Sequence, residues 1–118
     1  MSVEPGERRG FDVTDIRATD TRERELTVCV RDDAPQLEGH FPGRPVLPAV
    51  AQLADLILPE IHAAWPDLPP LSGAPRIKFT RVVSRGERLR LTLARVESKV
   101  RFQLVHDQAV CASGTLTF

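Results

Sequence analysis

The stretch GHFPGRPVLPAVAQLADLI, residues 39–57, joins a loop dense in glycine and proline to the beginning of an apolar helix. Proline is tolerated in the first turn of a helix, and the pattern predicts a helix over residues 48–64 with a kink or an early end at Pro59. His40 lies in the loop and Asp55 lies in the helix. Because acid–base chemistry uses such a histidine and carboxylate, this stretch is also the candidate site.

Outside this stretch, apolar residues alternate with polar ones, which is the period of a half-buried strand. The predicted strands cover residues 11–18, 23–31, 76–83, 87–96, 99–106 and 109–118. The short gaps between the last four strands indicate antiparallel hairpins. The order β-β-α-β-β-β-β predicts an α+β fold in which a curved antiparallel sheet wraps one long helix. We expect one domain over residues 1–118, with residues 1–9 as a loose lead-in.

The overall charge argues against a nucleic-acid partner, because 16 basic residues balance 16 acidic ones. The two cysteines, Cys29 and Cys111, lie far apart in apolar runs, so we interpret them as unpaired thiols. No apolar run approaches the roughly 20 residues of a membrane span, and the first residues lack the apolar core of a signal peptide. We therefore expect a cytoplasmic protein that does not associate with a membrane. We also expect it to need neither a metal nor a cofactor.

In a regular helix successive residues lie 100° apart around the axis, and on this spacing the polar residues of the predicted helix fall on one side. Within an arc of roughly 160° lie Gln52, Asp55, Glu60 and His62, and the opposite arc holds Leu47, Val50, Ala54, Ile57 and Ile61. This geometry predicts Asp55 at the rim of a polar face and Ala54 near the middle of the apolar face.

GHFPGRPVLPAVAQL closely resembles the signature of the hotdog-fold 3-hydroxyacyl-ACP dehydratases, including their aryl-polyene-type branch. That signature is GHFPGxPxxPGV, followed by an apolar helix that carries Glu or Asp. PQLEGHF, RIKFTRVVSRGERLRLTL and ASGTLTF also resemble the family, so the similarity covers about residues 35–118. It implies a hotdog fold, a dimer whose sheets join edge to edge, and active sites at the interface. The substrate would be an acyl thioester on the phosphopantetheine of acyl carrier protein or CoA.

The resemblance also implies roles for individual residues. His40 would remove the α-proton of a 3-hydroxyacyl thioester, while N–H groups at the helix start stabilise the carbonyl oxygen. A helix carboxylate from the other subunit would protonate or orient the departing hydroxyl. The residues implied to contact the substrate are Phe41, Gly43, Ala49, Val50, Ala54 and Phe79.

The chain departs from the family signature at two positions. Ala49 replaces the glycine that follows the second proline of the signature. The family's acid lies fourteen residues after its histidine, where this chain has Ala54, and Asp55 comes one residue later. In a regular helix that step turns the carboxylate by about 100°. Asp55 is therefore either a relocated catalytic acid or a carboxylate at the rim, and His40 is either catalytic or a remnant.

Three functions remain open at this point. The first is a dehydratase-like enzyme acting on carrier-bound acyl chains in fatty-acid, polyene or polyketide synthesis. The second is a catalytically weakened hotdog subunit that binds acyl chains, or pairs as a heterodimer with an active homologue. The third is an acyl thioesterase, in which Asp55 would activate water.

Overall fold

The structure is a computed structural model, and it describes residues 5–8, 10–35, 46–47 and 49–118. The strands are β1 (Gly6–Arg8), β2 (Phe11–Asp20), β3 (Glu23–Val30), β4 (Val46–Leu47), β5 (Gly73–Phe79), β6 (Val83–Ser84), β7 (Arg88–Val96), β8 (Lys99–His106) and β9 (Ala109–Thr117). The helical elements are α1 (Ala49–Ala51), a π-helical segment (Gln52–Ile57) and α2 (Leu58–Ala64). All six long strands predicted from the period-two pattern are present.

The six long strands and the short β1 form one antiparallel sheet in the order β1-β2-β3-β7-β8-β9-β5. Every second side chain of the sheet points to the face that the helix covers, because successive residues of a strand alternate between faces. The resulting core is apolar and includes Leu26, Leu91, Phe102, Leu56, Ile57 and Ile61, each at most 2% exposed. The predicted α+β architecture, one helix on an antiparallel sheet, is confirmed.

Three short strands carry no periodic signal in the sequence. Within the expected lead-in, β1 pairs with the beginning of β2. Strand β4 pairs with β6, where Val46 lies opposite Ser84 and Leu47 opposite Val83. This two-residue pairing ties the chain that leads into the helix to the segment that follows β5.

The helix changes its winding before Pro59. The Leu58 N–H donates to the Leu53 carbonyl, which is the i→i−5 bond of a π-helix. Pro59 has no N–H, and its ring would crowd the carbonyl four residues earlier in a regular helix. The wider turn lets Pro59 lie in the first turn of α2. The predicted disturbance at Pro59 therefore takes the form of a π-helical segment on its N-terminal side.

The end of the helix is anchored to the β2–β3 turn through Trp65, which is buried. The Trp65 Nε1–H donates to the Thr21 carbonyl at 2.8 Å, and the Arg24 guanidinium lies 5.3 Å from the ring centroid. In the described part of the chain, no helix is long and apolar enough to cross a membrane.

Candidate active site

The face that the helix presents to the sheet differs from the one predicted at 100° per residue. Gln52 and Glu60, expected on a polar arc, are buried at 3% and 2% exposure. Ala54, expected near the middle of the apolar arc, is exposed, while Asp55 is half-buried. The prediction was wrong because a π-helical segment turns each residue by less than an α-helix does. Nothing in the sequence pattern signals the burial of Gln52 and Glu60.

The residues predicted to contact the substrate are only partly described. His40, Phe41 and Gly43 lie outside the described residues, and for Val50 the structure describes only the backbone in α1. Ala49 is exposed at the beginning of α1.

Phe79, the last residue of β5, is 39% exposed. It lies four residues before Val83, while Ala49 lies two residues after Leu47. Since Leu47 pairs with Val83, the β4–β6 pairing brings the helix start and the end of β5 into one region.

Three exposed apolar side chains lie at or near the C-terminal end of β5. Phe79, Val82 and Val110 are 39%, 58% and 37% exposed, and we call them the edge patch. The chain after β5 is held against β9, since the Thr80 N–H donates to the Cys111 carbonyl and the Thr80 hydroxyl to the Val110 carbonyl, both at 2.8 Å. Among the described residues no strand pairs with the outer side of β5. The edge thus offers backbone hydrogen-bonding groups beside an apolar surface.

Two of the three histidines serve the architecture. The ring nitrogens of His62 lie 3.2 and 3.1 Å from the carbonyl oxygens of Leu58 and Pro69. His106 Nε2 lies 2.8 Å from a Glu87 carboxylate oxygen, and its Nδ1 lies 3.0 Å from the Arg88 carbonyl oxygen. With both rings engaged by the protein, His40 remains the histidine to consider for catalysis.

The His106–Glu87 pair was not predicted from the sequence, because its two members belong to different strands. Both side chains are largely buried, at 17% and 18% exposure. The second Glu87 carboxylate oxygen accepts the backbone N–H of Ser84 in β6. Because β6 pairs with β4, this network holds the strand that leads toward the helix start.

We expect Glu87→Gln to lower the free energy of unfolding by about 1–2 kcal/mol, because it replaces a carboxylate that contacts the His106 ring and accepts the Ser84 N–H in a site mostly shielded from water. The matched control is Asp107→Asn, whose carboxylate also lies near His106, at 3.5 Å, but is 87% exposed. It should cost less than about 0.5 kcal/mol. Urea unfolding of both variants measures the difference. Equal losses would contradict a structural role for the buried pair.

Among the described residues, neither the thiols nor the side chains that can bind metals form an alternative centre. Cys29 and Cys111 are unpaired, as predicted. Burial raises the pKa of the Cys111 thiol, which favours its neutral form. Among the residues that the structure describes, no cluster of His, Cys, Asp or Glu has the arrangement of a metal site.

Comparisons with known proteins relate most of the chain to one protein family. A model of the ApeI-like family, described as ApeI dehydratase, matches residues 16–115. The dehydratase heterocomplex ApeI:P from Xenorhabdus doucetiae is similar in structure, with a TM-score of 0.77 and 21% identity over 98% of this chain and 97% of that chain. An uncharacterized protein from Erwinia carotovora subsp. atroseptica has a TM-score of 0.72 and 28% identity, covering 89% of this chain and 90% of its own.

The TT0310 protein from Thermus thermophilus is more distant, with a TM-score of 0.62 and 19% identity over 92% of each chain. These likenesses span nearly the full length of the proteins compared. Together with the antiparallel sheet and its single helix, they confirm the predicted hotdog fold.

Proposed function

The chain belongs to the ApeI-like family of hotdog dehydratases, and on that basis we propose that it removes water from a 3-hydroxyacyl thioester carried on phosphopantetheine. The carrier would be acyl carrier protein or CoA. The main argument against activity is that the acid, Asp55, lies one residue after the position that the family signature prescribes. The observation that carries the proposal is the π-helical segment around Asp55, because it changes the direction of that side chain.

The π-helical segment offsets the displacement of the acid by one residue. Its hydrogen bonds run from i to i+5 instead of i to i+4, so the helix can take up an extra residue before returning to its former face. Asp55 lies in this segment and is half-buried, whereas Ala54, at the family's usual position, is exposed. We infer that the acid has moved by one residue and that the widened turn keeps its carboxylate directed away from bulk water.

The proposed reaction is a β-elimination with two protein groups. His40 takes the proton from Cα, and negative charge develops on the thioester carbonyl oxygen. Backbone N–H groups at Ala49 and Val50 would stabilise that charge, since the first N–H groups of a helix have no partner within it. The electrons then form the Cα–Cβ double bond as the Cβ–O bond breaks, and Asp55 protonates or orients the leaving hydroxyl. The products are an enoyl thioester and water.

A second hotdog subunit would complete the site along β5. The outer side of that strand has unpaired backbone groups among the described residues, and the edge patch beside it is apolar. The similar protein from Xenorhabdus doucetiae is a heterocomplex. These two observations support a partner that is either a second copy of this chain or a homologous subunit. On the resemblance to the family, His40 and the acid would then come from different chains.

The test is to incubate the purified chain with a 3-hydroxyacyl thioester of acyl carrier protein or of CoA. Enoyl absorbance should rise while the thioester remains intact. Activity that appears only after a homologous hotdog subunit is added would support the weakened-subunit alternative, in which the acid is borrowed. Release of free thiol without enoyl product would contradict the proposal and favour a thioesterase.

A further inference from the structure

Strand β9 carries a row of hydroxyl side chains on the face of the sheet that points away from the helix. Ser113, Thr115 and Thr117 alternate along this strand with the inward side, where Ala112 and Leu116 are fully buried. Because successive residues of a strand point to opposite faces, the three hydroxyl-bearing residues share the outward face. We call these three residues the hydroxyl row.

Two arginines flank the middle residue of the hydroxyl row. Thr115 lies opposite Arg101 of β8 on one side and opposite Arg76 of β5 on the other. Residues that lie directly opposite each other in a sheet point to the same face. The two arginine Cα atoms are about 10 Å apart, which is twice the spacing of neighbouring strands. Two side chains of this length can therefore converge on one ligand held above Thr115.

A lysine accompanies each arginine on the same face. Lys99 lies two residues before Arg101 on β8, and Lys78 lies two residues after Arg76 on β5. All four side chains are exposed. Within the described part of the chain, none of them takes part in a salt bridge of 4 Å or less. Their positive charges are therefore available to a ligand.

The two arginines line a groove of about 620 Å³, and Ser113 and Thr115 of the hydroxyl row line it as well. Its opposite wall includes Glu23 and Glu25 of β3. Strand β7 separates this acidic wall from β8. The volume is typical of pockets for small molecules, which measure about 300–1,000 Å³. The groove is thus acidic along β3 and basic along β8 and β5.

Two further arginines on this face lie outside the groove. Arg88 and Arg90 are exposed on β7, and neither lines the groove. Ala94 is the β7 residue opposite Arg101, and it lies four residues after Arg90. That separation is about 13 Å along a strand. Arg88 and Arg90 therefore have the same charge and the same face of the sheet, but a different place on it.

We propose that the groove binds a small phosphorylated molecule through two phosphate groups held between β8 and β5. Arginine binds phosphate oxygens through paired N–H groups, lysine supplies a compact charge, and hydroxyl groups donate hydrogen bonds. A phosphate monoester carries a charge of about −1.5 to −2 at pH 7, so two such groups balance the four basic side chains. The acidic wall on β3 would repel a long polyanion that crosses the whole face.

This site lies on the face away from the helix, so it does not depend on the proposed dehydration. Inorganic pyrophosphate is the probe, and NMR spectra of the ¹⁵N-labelled native chain are recorded during a titration at constant ionic strength. The shifts should reach saturation, and the largest should belong to the backbone amides of the hydroxyl row and of the strand residues opposite it. Shifts that grow linearly without saturation, or that centre on another part of the chain, would overturn the proposal.

Three variants identify the side chains that bind the probe. Arg76→Gln/Arg101→Gln should raise the Kd for pyrophosphate by at least about tenfold, because it removes two charge-assisted contacts. Arg88→Gln/Arg90→Gln removes the same charge from the same face and should change the Kd by less than about twofold, since these side chains lie outside the groove. Thr115→Val keeps a β-branched side chain without the hydroxyl and should raise the Kd by about threefold or more.

Circular dichroism verifies that each variant is folded. An equal loss of affinity in the two double variants would mean that only the net charge of the face matters, and it would overturn the proposal. An unchanged Kd in Thr115→Val would exclude the hydroxyl row from the site. Binding to duplex DNA or to phosphatidylglycerol vesicles without a saturable response to pyrophosphate would also overturn the proposal, in favour of an extended anionic partner.

Discussion

Replacing Asp55 by Ala should lower the rate of dehydration by about 10²–10⁴-fold, the range that a positioned acid or base contributes to proton transfer. His40→Ala should cause a loss of similar size. Because the two groups act in one reaction, the double variant should be little slower than either single variant. The rate is measured from enoyl absorbance under single-turnover conditions, and circular dichroism verifies the fold of each variant.

The double variant Ala54→Asp/Asp55→Ala tests the role of the π-helical segment. It moves the acid to the position that the family signature prescribes, fourteen residues after His40. Residue 54 is exposed in the widened turn, so we expect no recovery of rate. Full recovery would mean that the helix behaves as a regular α-helix during the reaction. An Asp55→Ala variant with the native rate would show that the acid comes from elsewhere.

Gly114→Ala should be the most destabilising single substitution proposed for this chain, with a loss of about 2–3 kcal/mol in the free energy of unfolding. Gly114 lies in β9, where it pairs with Ile77 of β5. A Cβ at this position would overlap the Arg76 carbonyl oxygen and lie 2.9 Å from the Ile77 Cα. These atoms belong to the backbone of the neighbouring strand, so relief requires β5 to move away from β9.

Gly73→Ala provides the matched control in the same pair of strands. A Cβ at Gly73 meets no atom within 4 Å, so this variant should unfold within about 0.5 kcal/mol of the native chain. Guanidinium unfolding of both variants gives the comparison. Equal stability of the two variants would contradict the steric argument. Loss of dehydration in folded Gly114→Ala would further connect the position of β5 with the site.

The strands were predictable because one face of the sheet is buried and the other is polar, which imposes a period of two on the sequence. Residues 99–106 were predicted as a strand, and β8 covers Lys99–His106. The short strands β4 and β6 lack such a period, since two residues cannot express one. The contact between His106 and Glu87 joins different strands, and the local pattern around each residue gives no sign of it.

Which side chains of the helix face the sheet could not be predicted from apolar spacing alone. Pro59 indicated where the helix would be disturbed, but the sequence did not show that the disturbance would widen the preceding turn. Once the turn widens, the positions of Ala54 and Asp55 relative to solvent are reversed. A site whose acid is assigned by counting residues therefore needs the hydrogen-bond pattern of the helix as well.

No described strand pairs with the outer side of β5, and this has a consequence for how the protein must be produced. An edge strand beside exposed apolar side chains can template pairing with the wrong chain, which is a route to aggregation. Arg76 and Lys78 on β5 reduce this risk by their charge, but Phe79 at its end does not. If the partner is a different subunit, this chain made in excess should precipitate, and co-expression at equal levels should recover it. The yield of usable protein would then depend on the stoichiometry of synthesis.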